Sequence, residues 1–334
     1  MAEQLDVISI GDIVTDVFIK LLDDQAKVYE DSDQNKWLAM PFGTKLPYDT
    51  VQTIKGVGNA ANAAVAFARL GLNSAYIANV GDDSIGREMI DALHDNKVDS
   101  RFIRINPGKQ SNVHYVLRYD VERTILIKHE AYDYHWPHLT PNEVPKWLYF
   151  SSISMHAMDF HDQLADWLDN HPEVKLAFQP GTFQMEAGVE RLKRIYAHSE
   201  VLLVNREEAA LITGGNHDDY HDLLSRMHGL GAKIAVITDG PNGAVASDQQ
   251  QILSMPLYPD PSPPKERTGA GDAFSAAFVA ALIKGNNIAG ALQWGPINSM
   301  NVVQHIGAQE GLLNEREIEH FLSVAPDNYH PTLL

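Results

Sequence analysis

One short stretch combines small residues with an acid directly before a long apolar run. It reads Gly269-Ala270-Gly271-Asp272, and the apolar run continues to Ile283. This pattern predicts a loop that enters the N-terminus of a buried helix, where unpaired N–H groups and the helix dipole suit an anion. Asp272 would repel that anion unless it had a task, such as accepting a proton from a nucleophile that attacks phosphorus. An aspartate that simply caps the helix is the alternative.

Two further acids follow a predicted buried strand. The segment Val7-Ile8-Ser9-Ile10 is short, apolar and partly β-branched, which is typical of a strand covered on both faces. Asp12 and Asp16 come just past its end, where ligands gather in open parallel sheets. The pair is therefore placed to recognise hydroxyl groups, and turn-forming aspartates are the alternative.

A second glycine-led helix is predicted between Gly58 and Gly71, with Gly71 just past its C-terminal end. The segment is apolar almost all round, so we expect it to be buried. Asn59 and Asn62 are unusual on such a helix and need hydrogen-bond partners. Backbone groups and a bound polyol are equally suitable partners.

The rest of the chain alternates predicted strands with predicted helices, an order that favours a mostly parallel sheet covered on both faces. Two segments, at about 17–55 and 113–128, break this rhythm with several short strand-like pieces. We expect them to pair into a small β-sheet that covers the strand ends as a lid, within one domain spanning 1–334. The predicted strands of the main sheet are 7–10, 75–80, 147–151, 175–178, 201–204, 234–238 and 244–246.

Composition excludes several classes of protein. An apolar content of 44% with 21% charged residues is ordinary for a globular protein. The net charge of −18 without a basic block argues against nucleic acid or an anionic membrane as partner. The absence of cysteine excludes disulfides, thiolate catalysis and Cys-zinc sites. The first residues carry no basic segment and no apolar stretch reaches about 18 residues, so we expect a cytoplasmic protein without signal peptide or membrane span.

The motifs together resemble the ribokinase-like (PfkB) family of small-molecule kinases, nearly end to end. Single short motifs match by chance, but here six occur in the family's order. Gly269-Ala270-Gly271-Asp272 is similar to the anion-hole signature, and Gly58 through Gly71 to the sugar-side signature. The other matching segments are Gly81-Asp82-Asp83, Asn205-Arg206-Glu207-Glu208, Thr238-Asp239-Gly240 and Ile306-Gly307-Ala308-Gln309.

The resemblance implies a three-layer α/β/α fold with a β-sheet lid. It also implies an enzyme that uses ATP and Mg²⁺ to phosphorylate the primary hydroxyl of a small sugar. Asp272 would be the base, and the backbone of Gly269, Ala270 and Gly271 would form the anion hole. The residues implied to hold the sugar are Asp12, Asp16, Gly58, Asn59 and Asn62. Those implied to bind ATP are Asn205, Thr238, Gly240, Gly243 and Gly271, with Glu208 and Asn205 ordering Mg²⁺ through water.

The chain departs from the family pattern at three places. Val57 stands where a glycine is usual, so we expect ordinary negative φ there. Glu266-Arg267 replaces an Asp-Thr pair in a segment that helps to form a monovalent-cation site in many relatives, which puts K⁺ dependence in doubt. One hypothesis is that Arg267, oriented by Glu266, supplies the charge instead. The other is that both side chains point to solvent and a cation site built largely from backbone carbonyls persists. Gln179 replaces a more usual Asp or Asn before proline.

Two other functions stay open beside a carbohydrate kinase. A nucleoside kinase of the same fold would need an aromatic or apolar slot, for which Phe18, Trp37 and Tyr115 are candidates. A non-catalytic sugar-binding regulator would have no reason to keep Asp272 and Glu208. A half-open small sheet would also expose strand edges and an apolar face including Phe18, Trp37 and Tyr115, so we expect a homodimer formed through the lid.

Overall fold

The computed structural model describes residues 4–120 and 122–334. Val121, within the predicted lid, lies outside the described residues. The strands are β1 Val7–Ile10, β2 Val14–Leu21, β3 Lys27–Glu30, β4 Lys36–Ala39, β5 Tyr48–Val57, β6 Ser74–Gly81, β7 Ile103–Asn106, β8 Val113–Tyr119, β9 Glu122–Leu126, β10 Trp147–Phe150, β11 Lys175–Phe178, β12 Ser199–Asn205, β13 Ile234–Thr238, β14 Ala244–Ser247, β15 Ile252–Met255 and β16 Thr332–Leu333. The helices are α1 Asn59–Arg69, α2 Ser84–Asp95, α3 Met158–Asp169, α4 Thr182–Ala187, α5 Val189–His198, α6 Arg206–Thr213, α7 Tyr220–Gly229, α8 Ala270–Ile283, α9 Ile288–Val302 and α10 Glu315–Ser323.

The central sheet has ten strands in the order β16-β15-β14-β13-β12-β11-β10-β1-β6-β7. From β7 to β13 every neighbouring pair is parallel, and from β13 to β16 every pair is antiparallel. The parallel strands therefore end at one common edge, with β1 near its middle. This is the edge at which ligands bind in open α/β sheets.

Two separate hydrophobic cores lie on the two faces of this sheet. Val7 of β1 belongs to a core that includes α1, α8 and α9, whereas Ile8 and Ile10 belong to one that includes α3, α5 and α7. This division follows from the period-2 alternation of side chains along a strand. The layers are thus helix, sheet and helix, which confirms the predicted three-layer α/β/α class.

Helices α1 and α8 are nearly all buried and pack against each other. Alanine dominates both, for example Ala63 and Ala64 in α1 and Ala276 and Ala277 in α8, all of them 0% exposed. Such small side chains let two buried helices approach closely. Because their N-termini also lie on the same side, the first-turn residues of the two helices meet over the sheet edge.

A separate four-stranded sheet has the order β5-β2-β8-β9. Strands β3 and β4 do not join it but pair with each other in a two-stranded sheet. The expectation that Phe18 is exposed on this small sheet is wrong, because Phe18 is only 3% exposed. It lies on β2, one of the two inner strands of this sheet, two residues from Asp16 and on the same face. Among the described residues, no helix is both long and apolar enough to cross a membrane.

Candidate active site

A cavity of about 690 Å³ lies between the small sheet and the carboxyl edge of the main sheet. It brings together most of the residues predicted from the sequence. Those in its wall are Asp12, Asp16, Gly58, Asn59, Asn62, Asn205, Glu208, Thr238, Gly269, Gly271 and Asp272. Ala270, Gly240 and Gly243 do not line it.

Asp272 lies in the first turn of α8 and is buried. Its carboxylate accepts hydrogen bonds from three side-chain amides, namely Asn59 Nδ2 at 2.9 Å, Asn62 Nδ2 at 2.9 Å and Gln179 Nε2 at 3.3 Å. Burial raises the pKa of Asp272, and the three amides partly offset this rise because they favour the charged form. The two asparagines of α1 therefore find a partner that neither sequence interpretation included.

Two of these amides are themselves oriented by neighbours. Gln309 Nε2 donates to Asn62 Oδ1 at 3.1 Å and to the carbonyl of Gly56 at 2.9 Å. Gln179 Oε1 accepts from the Tyr149 hydroxyl. Gln309 was seen in the sequence only as part of a matching segment, and Gln179 only as a departure. The signal that identifies Gln179 is its position directly after β11, at the carboxyl edge of the sheet.

The entrance to α8 leaves backbone donors free for a ligand. Gly269 adopts φ 79°, and a Cβ there would collide with Ala308. The first helical bond runs from Ala273 N–H to the Gly269 carbonyl, so the amides of Gly271 and Asp272 lie outside the helical ladder. A Cβ at Gly271 would meet no atom within 4 Å.

Asp12 organises the opposite end of the cavity. Its carboxylate accepts from the Tyr134 hydroxyl at 2.8 Å and from the Ser154 N–H at 2.8 Å, and it lies 3.0 Å from His129 Nδ1. A Cβ at Gly58 would come within 2.7 Å of the Asp12 carbonyl, which explains glycine there. The acid was predicted to hold a sugar hydroxyl, and the structure shows that both its oxygens already bind protein groups.

Asp16 keeps more acceptor capacity than Asp12. It faces His114 across the β2–β8 pair, but His114 Nδ1 is 3.7 Å from Oδ1, too long for a hydrogen bond. Burial, with a smaller effect from nearby Glu266, raises the pKa of Asp16 to about 6. Burial lowers the pKa of His114 to about 4, so this ring is neutral at pH 7 and does not neutralise the carboxylate.

Asn205 and Glu208 form a reciprocal cap at the start of α6. Asn205 Oδ1 accepts from the Glu208 N–H at 2.8 Å, and Glu208 Oε2 accepts from the Asn205 N–H at 2.9 Å. Burial raises the pKa of Glu208, and the negative charge of Asp272 adds to the rise. The second carboxylate oxygen of Glu208 is not used by this cap, so one acceptor stays available at the cavity wall.

Thr238, the last residue of β13, lines the cavity, whereas the glycines of the loop after it do not. Gly243 has φ 87°, and a Cβ there would collide with the Met255 carbonyl. Asp239 accepts from Arg206 Nη1 at 2.9 Å and from the Tyr220 hydroxyl at 2.5 Å. In this structure Gly243 is required by backbone packing, and contact of Gly240 or Gly243 with a nucleotide stays a prediction.

The positions of the Glu266 and Arg267 side chains agree with neither hypothesis. Glu266 Oε1 accepts from the Thr268 N–H at 3.1 Å, and Oε2 accepts from the Gly307 N–H at 2.9 Å. Arg267 is exposed and does not line the cavity. Glu266 thus joins the loop before α8 to the 307 segment instead of orienting Arg267. Val57 follows the prediction, because Gly56 and Gly58 have φ of 68° and 118° whereas Val57 is not in the left-handed region.

Of the three aromatic residues predicted to form a slot, none lines the cavity. Phe18 is buried elsewhere, and Trp37 and Tyr115 are 52% and 47% exposed. The rings that do line the cavity are His114, His129 and Phe183, and they pack edge to face. They could not be predicted from spacing, because they come from three distant segments.

The fold and cavity together define a small-molecule kinase of the ribokinase-like class. Residues 49–315 match the family described as pfkB family carbohydrate kinase. That span holds α1, the Asn205–Glu208 cap and α8, and the chain belongs to this family. It is therefore a sugar kinase.

Individual relatives agree with this assignment. The chain is 29% identical over 290 residues to probable fructokinase-7 of Arabidopsis thaliana, covering 75% of this chain and 80% of the relative. The ribokinase of Arabidopsis thaliana complexed with ribose and ATP has a TM-score of 0.77 at 18% identity, covering 96% of this chain and 99% of the other. A nucleoside kinase of Methanocaldococcus jannaschii has a TM-score of 0.76 at 17% identity, covering 97% and 100%. At these identities the two structures establish the fold alone.

Proposed function

We propose that the chain transfers the γ-phosphoryl group of ATP to the primary hydroxyl of a small sugar, with Asp272 as the general base. The observation that carries this proposal is the position of its carboxylate. It lies buried at the wall of the cavity, in the first turn of α8, directly beside the free amides of that helix. An acceptor hydroxyl there would be within reach of both the base and the bound phosphate.

The entrance to α8 fits a phosphate group. The amides of Gly271 and Asp272 are outside the helical ladder, and the bare α-carbon of Gly271 leaves room for an oxygen to approach. Thr268 Oγ1 lies at this wall, is enclosed and has no hydrogen-bond partner among the described residues. A phosphate oxygen would satisfy all three donors.

The residues near Glu208 fit a magnesium ion that keeps most of its water. No group of three or more metal-binding side chains is found among the described residues, and Glu208 offers one free carboxylate oxygen. Mg²⁺ typically binds through one or two carboxylates, substrate phosphates and water. When bound, the ion would neutralise charge on the phosphates. Glu208 would hold its water shell, and Asn205 would fix Glu208 through the reciprocal cap.

Asp272 is a weak base for an alcohol even with a raised pKa. It suffices if the transition state is loose and the proton leaves late, so that positioning and charge stabilisation supply most of the rate. The three amides hold the carboxylate in place for this role. Ile125 of β9 and Ile127, just past the end of that strand, line the cavity while 42% and 57% exposed. We propose that this sheet closes as a lid and excludes water, which otherwise competes for the phosphate.

The acceptor class is tested by ADP release with MgATP and one acceptor at a time. The panel contains D-fructose, D-ribose, fructose 6-phosphate and adenosine. We expect turnover with a free sugar, because the acceptor end of the cavity presents Asp16, an acceptor of hydroxyl hydrogens. Turnover with adenosine alone would establish the alternative, a nucleoside kinase, for which the ring cluster of His114, His129 and Phe183 would be the base slot. Binding without turnover for every acceptor would indicate a non-catalytic regulator.

We propose a homodimer formed through the small sheet and its β3–β4 hairpin. These strands and the segment between β4 and β5 expose large apolar side chains, among them Trp37 at 52%, Phe42 at 103% and Tyr48 at 53%. Sedimentation at micromolar concentration is expected to give twice the chain mass of 37.1 kDa. The double variant Trp37→Ser/Phe42→Ser should weaken the dimer, whereas Leu211→Ser, which changes a leucine on α6 that is 70% exposed, should not. A wild-type monomer at that concentration would contradict the proposal.

We propose that potassium is not required. The Glu266 carboxylate already joins the loop before α8 to the 307 segment, through the amides of Thr268 and Gly307. In tetramethylammonium buffer with MgATP, added K⁺ should change the rate by less than about twofold. Glu266→Ala removes the acceptor of two backbone amides and should lower the rate, while the exposed Arg267→Thr should change little. Strong K⁺ activation of the wild type would show that a cation site persists beside α8.

A further inference from the structure

The two oxygens of the Asp272 carboxylate are not equivalent. Oδ1 accepts from both Asn59 Nδ2 at 2.9 Å and Gln179 Nε2 at 3.3 Å. Oδ2 accepts from Asn62 Nδ2 at 2.9 Å and from no other described residue. Each carboxylate oxygen has about two acceptor positions. Oδ1 is therefore fully occupied, and one position on Oδ2 is free.

The orientation of the Gln179 amide follows from three neighbours, Tyr149, Ser151 and Asp272. The Ser151 hydroxyl donates to Oε1 at 3.4 Å. Tyr149 is fully buried, and burial together with the charge of Asp272 raises the pKa of its hydroxyl, so it remains a donor. A donor must face the amide oxygen, and Oε1 of Gln179 accepts this bond. The amide N–H₂ group then points to Asp272, where the carboxylate requires a donor. Tyr149, Gln179 and Asp272 thus form a directed chain of hydrogen bonds.

We infer that Oδ2 is the atom of Asp272 that takes the proton of the acceptor hydroxyl. Gln179 is the positioning residue, because its hydrogen bond occupies the remaining acceptor position of Oδ1. The inference rests on the proposed function of Asp272 as base. In the step, the acceptor oxygen forms a bond to the γ-phosphorus and its proton moves to Oδ2. The bond from that phosphorus to the bridging oxygen breaks, and its electron pair leaves with ADP.

A neutral amide at position 179 has a further consequence for the site. The cavity around Asp272 already holds the carboxylate of Glu208, whose pKa responds to the charge of Asp272. A carboxylate at position 179 would add a like charge in contact with Asp272, and such a pair ionises with difficulty. Glutamine reaches Asp272 from the end of β11 with a donor and without that charge.

The oxygen assignment is tested by a structure of the protein with D-fructose and a non-hydrolysable ATP analogue, or with D-ribose if that sugar is the one phosphorylated. The acceptor hydroxyl is expected within hydrogen-bond distance of Oδ2, with Gln179 still bonded to Oδ1. An acceptor hydroxyl bonded to Oδ1, with Gln179 displaced, would overturn the assignment.

The role of Gln179 is tested with Gln179→Met, which removes the donor, and Gln179→Glu, which keeps the shape and replaces the donor by a charge. Both should lower kcat about tenfold or more, with the KM for ATP close to wild type. If Gln179 only filled space, the uncharged variant Gln179→Met would keep wild-type kcat. Tyr149→Phe should give a smaller loss of the same kind, because Gln179 Oε1 then loses one of its two donors and keeps Ser151.

A double variant separates this inference from the proposed function. If Gln179 acts through Asp272, Gln179→Met should cause no further loss in an Asp272→Asn background. If the double variant lowered kcat by the product of the two single effects, Gln179 would act independently of Asp272. The inference about Gln179 would then fail, while Asp272 remained the base. An Asp272→Asn variant with near wild-type rate would instead refute the proposed base itself.

Discussion

Asp272→Asn is expected to lower kcat by at least ~10²-fold, the low end for loss of a general base. Asparagine keeps the shape of the side chain at the start of α8, but it cannot take up the acceptor proton. The site also loses a negative charge near Glu208, so the affinity for ATP should remain close to wild type or increase slightly. The measurement is kcat from steady-state ADP release, with ATP binding followed separately by calorimetry.

The matched control is Asp159→Asn, the same change in the first turn of α3, outside the cavity. It should leave both kcat and ATP binding unchanged. If Asp272→Asn turned over near the wild-type rate, Asp272 would not be the base. If it lost ATP binding and thermal stability together, the carboxylate would serve mainly to hold the amides of α1.

Asp16→Ala is expected to raise the KM for the sugar with little change in the KM for ATP. Losing a hydrogen bond from a sugar hydroxyl to a charged acceptor costs about 1.5–3 kcal/mol, or roughly tenfold to 150-fold in kcat/KM. Because the pKa of Asp16 is raised to about 6, the wild-type KM for the sugar should also rise as the pH falls through that value. Protonation removes the negative charge and turns one oxygen into a donor, so the carboxyl group becomes a weaker acceptor. Asp16→Ala should abolish this pH dependence.

Asp49→Ala is the control for that experiment. Asp49 lies on β5 of the same small sheet, is 38% exposed and pairs with Lys20 at the surface. It should change neither KM. If Asp16→Ala raised the KM for ATP as much as the KM for the sugar, Asp16 would support the fold of the small sheet instead of binding sugar.

The parts that could be predicted from the sequence depend on local patterns. A glycine turn before an Ala-rich run is sufficient to place Asp272 in the first turn of a buried helix. The alternation of strands and helices is sufficient for the parallel sheet. The carboxyl-edge rule then places Asp12, Asn205 and Thr238 at one cavity.

The parts that could not be predicted depend on contacts between distant segments. Asn59 and Asn62 lie more than 200 positions from Asp272, and no spacing rule joins them. Glu266 turns toward the Gly307 amide because two loops meet there, whereas the sequence gives only its neighbour Arg267 as a partner. From the sequence Phe18 is predicted to be exposed, because only the sheet order shows that β2 is an inner strand flanked by β5 and β8.

The central claim is that Asp272 drives phosphorylation of a primary sugar hydroxyl, and ³¹P and ¹³C NMR of the product tests it most directly. Wild-type protein and Asp272→Asn are each incubated with MgATP and the sugar that is turned over in the acceptor panel. We expect the wild type to form a phosphate monoester on the CH₂OH carbon of that sugar, and the variant to form it at least ~10²-fold more slowly. A product phosphorylated elsewhere, or equal rates for the two proteins, would contradict this account.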